Sequence, residues 1–192
     1  MIIGVDLDDV LLDFNGALCS FHNRHYGTSY KPEDATDWNI DKIWKCGPEE
    51  AAERILAFYE SSEHFEAAPI IGSVQAIAKL KEMHTLHVVT AKPANLRQMT
   101  VRWVDRHFPG MFDGVHFTSE SHGDNKKTKA KVCDELGVQI FIDDNTEKVQ
   151  NVADSGRPVL LFDRPWNQGY GGKLITRVHS WEEIAEKLKE GI

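Results

Sequence analysis

The sequence predicts an α/β domain built on a mostly parallel sheet with helices on both faces. From about residue 72 onward, short apolar segments alternate with segments of helical periodicity, which is the pattern of β–α–β units. An uninterrupted apolar run at 2–5 is typical of a strand buried on both faces. With 192 residues, the chain is long enough for one such domain carrying an insertion.

The individual strands and helices follow from two periodicities. Strands are expected where apolar residues form short runs, at 2–5, 86–90, 114–117, 139–142 and 158–162. Helices are expected where apolar residues recur at helical spacing, at 15–26, 49–60, 73–83, 94–107, 128–136, 146–155 and 181–189. Gly137 is expected to end one helix, and Asn145 and Ser180 are expected to begin two others.

The segment 15–70 differs in composition from the alternating part of the chain. It carries several aromatic side chains among many acids, and it shows no clear strand. Its best helical pattern follows Pro48, and proline is favoured at the first position of a helix. We therefore predict a small helical domain at 15–70, inserted into a sheet-bearing domain formed by residues 1–14 and 71–192.

Composition limits which partners the protein could bind and indicates in which cellular compartment it works. The formal charge of −8 argues against a nucleic-acid polymer, because proteins that bind one usually present a basic face. The three cysteines, Cys19, Cys46 and Cys133, form no C-x-x-C pair and are typical of reduced thiols in a cytosolic protein. No signal peptide or membrane-spanning run of about 20 apolar residues is recognisable. We expect a soluble, cytoplasmic protein.

Acidic residues follow two of the predicted strands. Asp6 and Asp8 come directly after the strand at 2–5, and Asp143 with Asp144 comes after the strand at 139–142. Ligands of open α/β sheets bind beyond the carboxyl ends of the strands, which is where these acids should lie. Grouped carboxylates repel one another, and oxygen ligands favour a hard cation such as Mg²⁺. The sequence therefore predicts a magnesium site if the two acidic pairs converge.

Two further polar groups complete a set suited to phosphoryl transfer. Thr90 ends another strand, and a lysine is available among Lys126, Lys127, Lys129 and Lys131. A carboxylate can attack phosphorus and form a covalent aspartyl-phosphate, while a second carboxylate moves protons. A hydroxyl and an ammonium can hold the phosphate oxygens. The order of these groups along the chain predicts a phosphatase.

The sequence resembles a known family at these positions. The ordered motifs of haloacid dehalogenase (HAD) superfamily phosphatases are similar to Val5-Asp6-Leu7-Asp8-Asp9-Val10, Val88-Val89-Thr90, a lysine before Cys133, and Phe141-Ile142-Asp143-Asp144. A closer resemblance is to the 5′(3′)-deoxyribonucleotidases. It rests on Asp13-Phe14, Tyr59-Glu60, Phe65, Pro69-Ile70-Ile71-Gly72, Arg102-Trp103-Val104 and Leu161-Phe162-Asp163-Arg164-Pro165-Trp166-Asn167.

The resemblance implies a fold and a metal site. The fold would be a Rossmann-like three-layer α/β/α core with a small helical cap inserted after the first motif. Asp6 would be the nucleophile and Asp8 the general acid and base. Mg²⁺ would be held by the Asp6 carboxylate, the Asp8 main-chain carbonyl and an acid of the last motif. Asp144 is favoured as that direct ligand, with Asp143 behind it, and the reverse assignment stays open.

The resemblance also implies how the substrate is held. Thr90 and the main-chain N–H of Ala91 would bind phosphate, together with Lys129, for which Lys127 is the competing assignment. Phe14 stands at the base-stacking position, and Trp38 could line the same pocket. Both aromatics could instead fill the small core of the cap. The sequence departs from the mammalian enzymes at Ala91-Lys92-Pro93, where those enzymes carry Ser-Pro.

The leading functional hypothesis is a Mg²⁺-dependent phosphatase of nucleoside monophosphates. Two alternatives remain: a phosphatase of another small phosphorylated metabolite, and a non-catalytic phosphate-binding module that keeps the fold. A small cap leaves the site partly open unless a partner subunit covers it. A homodimer is therefore an open expectation.

Overall fold

The structure, a computed structural model, describes residues 1–37, 40–118 and 127–190. Within these residues, one sheet contains the strands β1 Ile2–Val5, β2 Thr85–Thr90, β3 Gly114–Phe117, β4 Ile140–Asp143, β5 Val159–Phe162 and β6 Ile175–Val178. Its order is β3-β2-β1-β4-β5-β6, and every neighbouring pair is parallel. The predicted α/β class with a parallel sheet is confirmed.

Helices connect the strands in sequence order. They are α1 Phe14–Tyr26, α2 Ile40–Trp44, α3 Pro48–Tyr59, α4 Ser62–Phe65, α5 Ser73–Lys81, α6 Arg97–His107, α7 Lys129–Leu136, α8 Thr146–Asp154 and α9 Trp181–Glu190. The predicted helix ends are found. Gly137 follows α7 in the left-handed conformation with φ 67°. Side chains of Asn145 and Ser180 accept main-chain N–H bonds from Lys148 and Glu183 at the starts of α8 and α9.

Two layers of helices cover the two faces of the sheet. Ile3 and Val5 of β1 lie in one apolar cluster with α5, α6 and α9, whereas Phe141 of β4 lies in a second cluster with α7 and α8. Gly4 points to the second face, where a Cβ atom would meet the Phe141 ring at 2.6 Å. The central strand therefore accepts no side chain at this point, which allows β1 and the Phe141 ring to approach closely.

A small helical cap, formed by α1 to α4, is inserted between β1 and α5. It has an apolar cluster of its own, which contains Leu18, Phe21, Trp44, Ala51 and Phe58. The two segments that connect the cap to the core run side by side in antiparallel directions. Leu12 bridges to Pro69, and Ile70 donates its N–H to the carbonyl of Leu11 at 2.7 Å. The exact limits 15–70 stay a prediction, and α1 itself begins one residue earlier, at Phe14.

One strand is missing from the sequence prediction. β6 lies at the edge of the sheet, and its burial alternates irregularly, with Thr176 exposed and Val178 buried. An edge strand of four residues that contains an arginine lacks the uninterrupted apolar run that marks β1, β4 and β5. The expected five-stranded sheet therefore has a sixth strand in the described part of the chain.

Candidate active site

The loop after β1 brings its acids to the carboxyl edge of the sheet. Asp6 continues the pairing with β4 by donating its N–H to the carbonyl of Ile142 at 2.8 Å. The chain then folds back, because Leu11 and Leu12 both donate N–H bonds of 2.9 Å to the carbonyl of Leu7. Asp9 takes a left-handed conformation at this turn, with φ 55°. Aspartate tolerates this conformation better than most residues do.

Three buried carboxylates meet at this edge. Asp6, Asp143 and Asp144 each place an oxygen within 4.8 Å of the others, and they are exposed by 7%, 0% and 2%. They converge because β1 and β4 are adjacent parallel strands. An all-oxygen donor set of three carboxylates suits a hard divalent cation. Asp6 of the first acidic pair and both acids of the second pair thus lie close enough to share one ion.

A single lysine lies among these acids. Lys129, the first residue of α7, places its Nζ 2.8 Å from Oδ1 of Asp6 and 2.8 Å from Oδ2 of Asp143. Lys127 instead pairs with Glu135 at 2.6 Å on the surface. Thr128 lies between the two lysines and caps α7, because its side chain accepts the N–H of Lys131, so Lys127 precedes the helix and Lys129 is its first residue. Of the two lysines considered from the sequence, Lys129 is the one at the site.

The charges within this cluster do not balance. Burial raises the pKa of Asp6 to about 7; Lys129 opposes this shift, and the neighbouring Asp143 adds to it. Burial and then Asp143 raise the pKa of Asp144 well above its usual range. Burial disfavours the charged form of Lys129, but Asp143 and Asp6 outweigh it, so the pKa of Lys129 is raised. The ammonium of Lys129 pairs with two of the three carboxylates, and a bound cation would stabilise the ionised forms of all three.

Asp143 and Asp144 are held in different ways. Asp143 accepts from Lys129 on Oδ2 and from the N–H of Asn145 on Oδ1, at 2.8 and 2.9 Å. Asp144 accepts from the indole N–H of Trp166 on Oδ2 at 2.8 Å. The side-chain amide of Asn167 holds the main-chain carbonyl of Asp144, also at 2.8 Å. Protein donors therefore engage both oxygens of Asp143 and one oxygen of Asp144.

Lys92 is a site residue that the motifs did not predict, since it stands in the segment where the sequence departs from the family pattern. Its Nζ lies 2.8 Å from Oδ1 of Asp8, and its main-chain N–H donates to Oγ1 of Thr90 at 3.1 Å. Lys92 and Thr90 are both nearly fully buried. A sequence signal was available, because Lys92 stands two residues beyond the end of β2, at the same sheet edge as the acids.

Asp9 is a second residue whose place the sequence did not reveal. Its Oδ1 accepts the N–H of Asn15 at 2.8 Å, and its carbonyl accepts from the Arg164 guanidinium, with Nε at 2.8 Å. Burial raises the pKa of Asp9 to about 7, against the hydrogen bond from Asn15. These contacts hold the loop after β1 against the start of α1 and the chain after β5.

Two of the cavities at this edge adjoin each other. The carboxylate cavity, of about 220 Å³, is lined by Asp6, Asp8, Asp9, Phe14, Tyr59, Thr90, Ala91, Lys92, Lys129, Asp144, Asn145 and Lys148. The aromatic cavity, of about 210 Å³, is lined by Asp9, Phe14, Asn15, Leu18, Ala35, Asp37, Ile40, Ile55, Tyr59 and Trp166. Asp9, Phe14 and Tyr59 line both. The predicted Ala91 thus lies beside the acids, while Trp38 lies outside the described residues.

Phe14 belongs to both environments that the sequence suggested for it. Its ring packs edge-on against Phe58 of the cap, with ring centroids 5.3 Å apart. The same half-buried ring also faces the two cavities. Packing and substrate contact are therefore compatible roles for this residue.

A comparison of the whole chain with known families bears on its activity. The model of the family described as 5′ nucleotidase, deoxy (pyrimidine), cytosolic type C protein (NT5C) matches residues 1–189. The chain belongs to this family. It is a hydrolase of the 5′-nucleotidase kind, as the resemblance in the motifs implied.

Individual proteins are similar to this nucleotidase-family chain either in sequence or in fold. A nucleotidase of Clostridium acetobutylicum is 27% identical over 188 residues, which cover 95% of this chain and 90% of that protein. A HAD-like hydrolase, SP0104 of Streptococcus pneumoniae, has the same fold with a TM-score of 0.70, 15% identity and 97% coverage of both chains. YfnB of Bacillus subtilis, provisionally named a HAD hydrolase and solved with magnesium, gives a TM-score of 0.67, 12% identity and 98% coverage of both chains.

Among the described residues of this family member, no helix is both long enough and apolar enough to cross a bilayer.

Proposed function

We propose that the protein is a Mg²⁺-dependent phosphatase of nucleoside monophosphates that works through an aspartyl-phosphate on Asp6. The observation that carries this proposal is the convergence of Asp6, Asp143 and Asp144 around Lys129, directly beside an aromatic cavity. Membership of the nucleotidase family supports the substrate class.

The donor set fits magnesium. The Asp6 carboxylate, the Asp8 main-chain carbonyl and the Asp144 carboxylate would hold the ion. Asp144 is the better direct ligand, because Lys129 and the Asn145 N–H already engage both oxygens of Asp143. Bound Mg²⁺ would offset the repulsion between an anionic nucleophile and a phosphate dianion. The magnesium in the similarly folded YfnB supports this choice of ion.

The chemistry is assigned to the two acids of the first loop. A carboxylate oxygen of Asp6 attacks phosphorus, and the bond from phosphorus to the ester oxygen breaks as the aspartyl-phosphate forms. Asp8 gives its proton to the departing ester oxygen. In the second step Asp8 takes a proton from water, whose oxygen attacks phosphorus and releases inorganic phosphate and free Asp6. Asp8 lines the carboxylate cavity together with Asp6, which supports this division of roles.

The phosphate oxygens are assigned to three groups on this edge. Lys129 supplies an ammonium next to Asp6, Thr90 supplies a hydroxyl, and Ala91 supplies a main-chain N–H. A fixed ammonium and fixed N–H and O–H donors around developing negative charge stabilise the transition state more than mobile water does.

The nucleoside is assigned to the aromatic cavity. Its apolar walls include Phe14, Ile55 and Tyr59, and it adjoins the carboxylate cavity, so one molecule can place a base there while its phosphate faces Asp6. A mostly apolar pocket with a few polar groups is the usual form of a small-molecule site. We further propose that residues 15–70 form the cap and that residues 1–14 and 71–192 form the catalytic core. A homodimer stays a prediction that light scattering can test.

Phosphate release from a panel of esters tests the proposal. The purified protein, with and without added magnesium, is given ribo- and deoxyribonucleoside monophosphates and sugar phosphates of similar size. We expect turnover that requires magnesium and favours esters that carry a base. Asp6→Asn should abolish turnover of every ester, and retained activity would refute the nucleophile.

Two other results would point to the alternatives. Equal or better turnover of sugar phosphates would favour a phosphatase of another metabolite. Tight binding of magnesium and nucleotide with no phosphate release by the unmodified protein would identify a non-catalytic binding module. All the residue types that the reaction needs, including Asp6, Asp8 and Lys129, line the carboxylate cavity, which argues against a non-catalytic binding module.

A further inference from the structure

Lys92 is a buried cation that the steps above do not use. Its side chain is 1% exposed. Its Nζ lies 2.8 Å from Oδ1 of Asp8 and 2.8 Å from Nε2 of His64. Asp8 belongs to the catalytic loop after β1, whereas His64 belongs to α4 of the cap. Lys92, just beyond β2, therefore connects the two through its ammonium.

The surroundings fix the position of this ammonium. The rings of Phe14 and Tyr59 have their centroids 5.0 and 5.1 Å from Nζ, on the faces that attract a cation. A buried ammonium is costly unless it is paired and hydrogen-bonded, so movement of Nζ away from Asp8 and His64 is unfavourable. The carboxylate of Asp8 is consequently held from one side by a group that cannot easily move.

His64 completes the chain of contacts toward the cap. Its side chain is buried, and burial followed by the charge of Lys92 lowers the pKa of His64 to about 4, so the ring is neutral near pH 7. A neutral ring can accept a hydrogen bond from the Lys92 ammonium on Nε2, while its Nδ1–H faces the carbonyl of Tyr59 at 3.4 Å. The cap thereby supplies the acceptor that orients the lysine.

We propose that Lys92 and His64 are positioning residues that fix the general acid and base, Asp8, and make its orientation depend on the docked cap. This inference rests on the proposed function. Lys92 holds Oδ1 of Asp8, which leaves Oδ2 for the departing ester oxygen. Neither Lys92 nor His64 transfers a proton in the reaction; their effect is exerted through the geometry of Asp8.

This role has a signature that a purely structural role lacks. Protonation by Asp8 matters most when the departing oxygen is a poor leaving group, as the alkyl oxygen of a nucleoside is. It matters little for an aryl ester such as p-nitrophenyl phosphate, whose oxygen leaves as a stabilised anion. Misplacing Asp8 should therefore reduce kcat/KM for a nucleoside monophosphate far more than for the aryl ester.

The experiment compares Lys92→Met, which keeps the length of the side chain and removes the charge, with Asp8→Asn on both esters. For Lys92→Met we expect kcat/KM on the nucleotide to fall by at least about tenfold more than on the aryl ester. The upper limit is the full contribution of a general acid, which is on the order of 10²- to 10⁴-fold. Asp8→Asn should show the same selectivity to a larger extent.

A second pair of variants tests the link to the cap, and it remains informative if Lys92→Met folds poorly. His64→Gln keeps an acceptor near the position of Nε2, whereas His64→Leu removes it. We expect His64→Leu to lose activity selectively on the nucleotide and His64→Gln to restore most of it. Circular dichroism and thermal unfolding establish that each variant is folded at the assay temperature.

The outcomes separate this inference from the proposed function. Loss of leaving-group selectivity in Asp8→Asn would overturn the role of Asp8 itself. Selectivity in Asp8→Asn but equal losses on both esters in Lys92→Met and His64→Leu would overturn the positioning role alone. A rise in KM without a fall in kcat for Lys92→Met would also overturn it, because that result would assign Lys92 to phosphate binding.

Discussion

Trp166 donates its indole N–H to Oδ2 of Asp144 over 2.8 Å. The same side chain lines the aromatic cavity, so one residue contacts both the proposed substrate pocket and a proposed metal ligand. Groups that hydrogen-bond to a ligating carboxylate fix its orientation and tune its affinity for the ion. The position of the base and the strength of metal binding are therefore expected to respond to the same substitution.

Trp166→Phe should weaken magnesium binding by about 10- to 100-fold, because Asp144 loses the donor that orients it. Calorimetric titration of the protein with Mg²⁺ measures this directly. Trp103→Phe is the matched control. It removes an indole hydrogen bond of similar length, to the main-chain carbonyl of Ala67 at 2.9 Å rather than to a carboxylate, from a more deeply buried ring. Equal metal affinities in the two variants would contradict the role given to Trp166.

Lys129→Met should lower both turnover and stability. The substitution leaves Asp6 and Asp143 buried without their shared ammonium, and breaking a buried pair in this way costs about 3–5 kcal/mol in the free energy of unfolding. Lys127→Met is the control, because its exposed pair with Glu135 contributes roughly 0–1 kcal/mol. Urea unfolding measures the stability of both variants, and steady-state kinetics measure their turnover. Similar effects of the two substitutions would be incompatible with the observed geometry.

Phe14→Leu should weaken binding of esters that carry a base. Stacking of a base on an aromatic ring is worth about 1–3 kcal/mol, which corresponds to a rise in KM of roughly 5- to 150-fold. KM for a small phosphate ester without a base should change little. Phe58→Leu provides the comparison, since Phe58 is fully buried in the cap cluster and packs against Phe14 without lining either cavity. A similar rise in KM for both variants would mean that Phe14 acts only through packing.

Acid should destabilise the cap through His22. Burial, and then the charge of Arg54, lowers the pKa of His22 to about 4 from its ordinary value of 6.5. Between these values the unfolded chain carries the proton and the folded chain does not. This contribution to stability is therefore fully present above about pH 6.5 and is lost as the pH falls toward 4.

Urea unfolding at a series of pH values tests this expectation. His22→Gln removes the titrating ring, so its free energy of unfolding should fall less steeply than that of the unmodified protein over the same interval. Above pH 7 the two curves should run parallel. Identical slopes at all pH values would show that His22 takes up its proton in the folded state as readily as in the unfolded one.

The fold and the acid cluster were predictable from the sequence for the same reason. Uninterrupted apolar runs mark β1, β4 and β5, while β2 and β3 are short segments with several apolar residues. The residues that follow the strands meet at one edge of a parallel sheet. Asp6 and Asp143 could therefore be placed together without coordinates. Choosing Lys129 over Lys127 needed the direction of the helix start, which two neighbouring lysines leave ambiguous.

The other features of the fold and the site could not be predicted, because they depend on contacts between segments that are distant in sequence. In the sequence, Lys92 is one lysine after a strand. Its role becomes visible only through its contact with His64, which lies 28 positions earlier in the chain. Trp166 reaches Asp144 from a turn of 3₁₀ helix after β5, and no local pattern indicates that reach. The edge strand β6 is identified by its partner β5 rather than by its own residues. Tertiary contacts of this kind leave little trace in local periodicity.

The arrangement of β1 between β2 and β4 has a consequence for biosynthesis. Ile3 pairs with Leu86 on one side and Ile140 on the other, so both partners are translated long after it. At about 5–20 residues per second, the ribosome delivers them roughly 4–30 seconds later. Throughout that interval the apolar segment that precedes Asp6 lacks its partner strands and can associate with other apolar surfaces. Chaperones that shield it should improve the yield of active enzyme, and slower elongation through the first 140 codons should lower it.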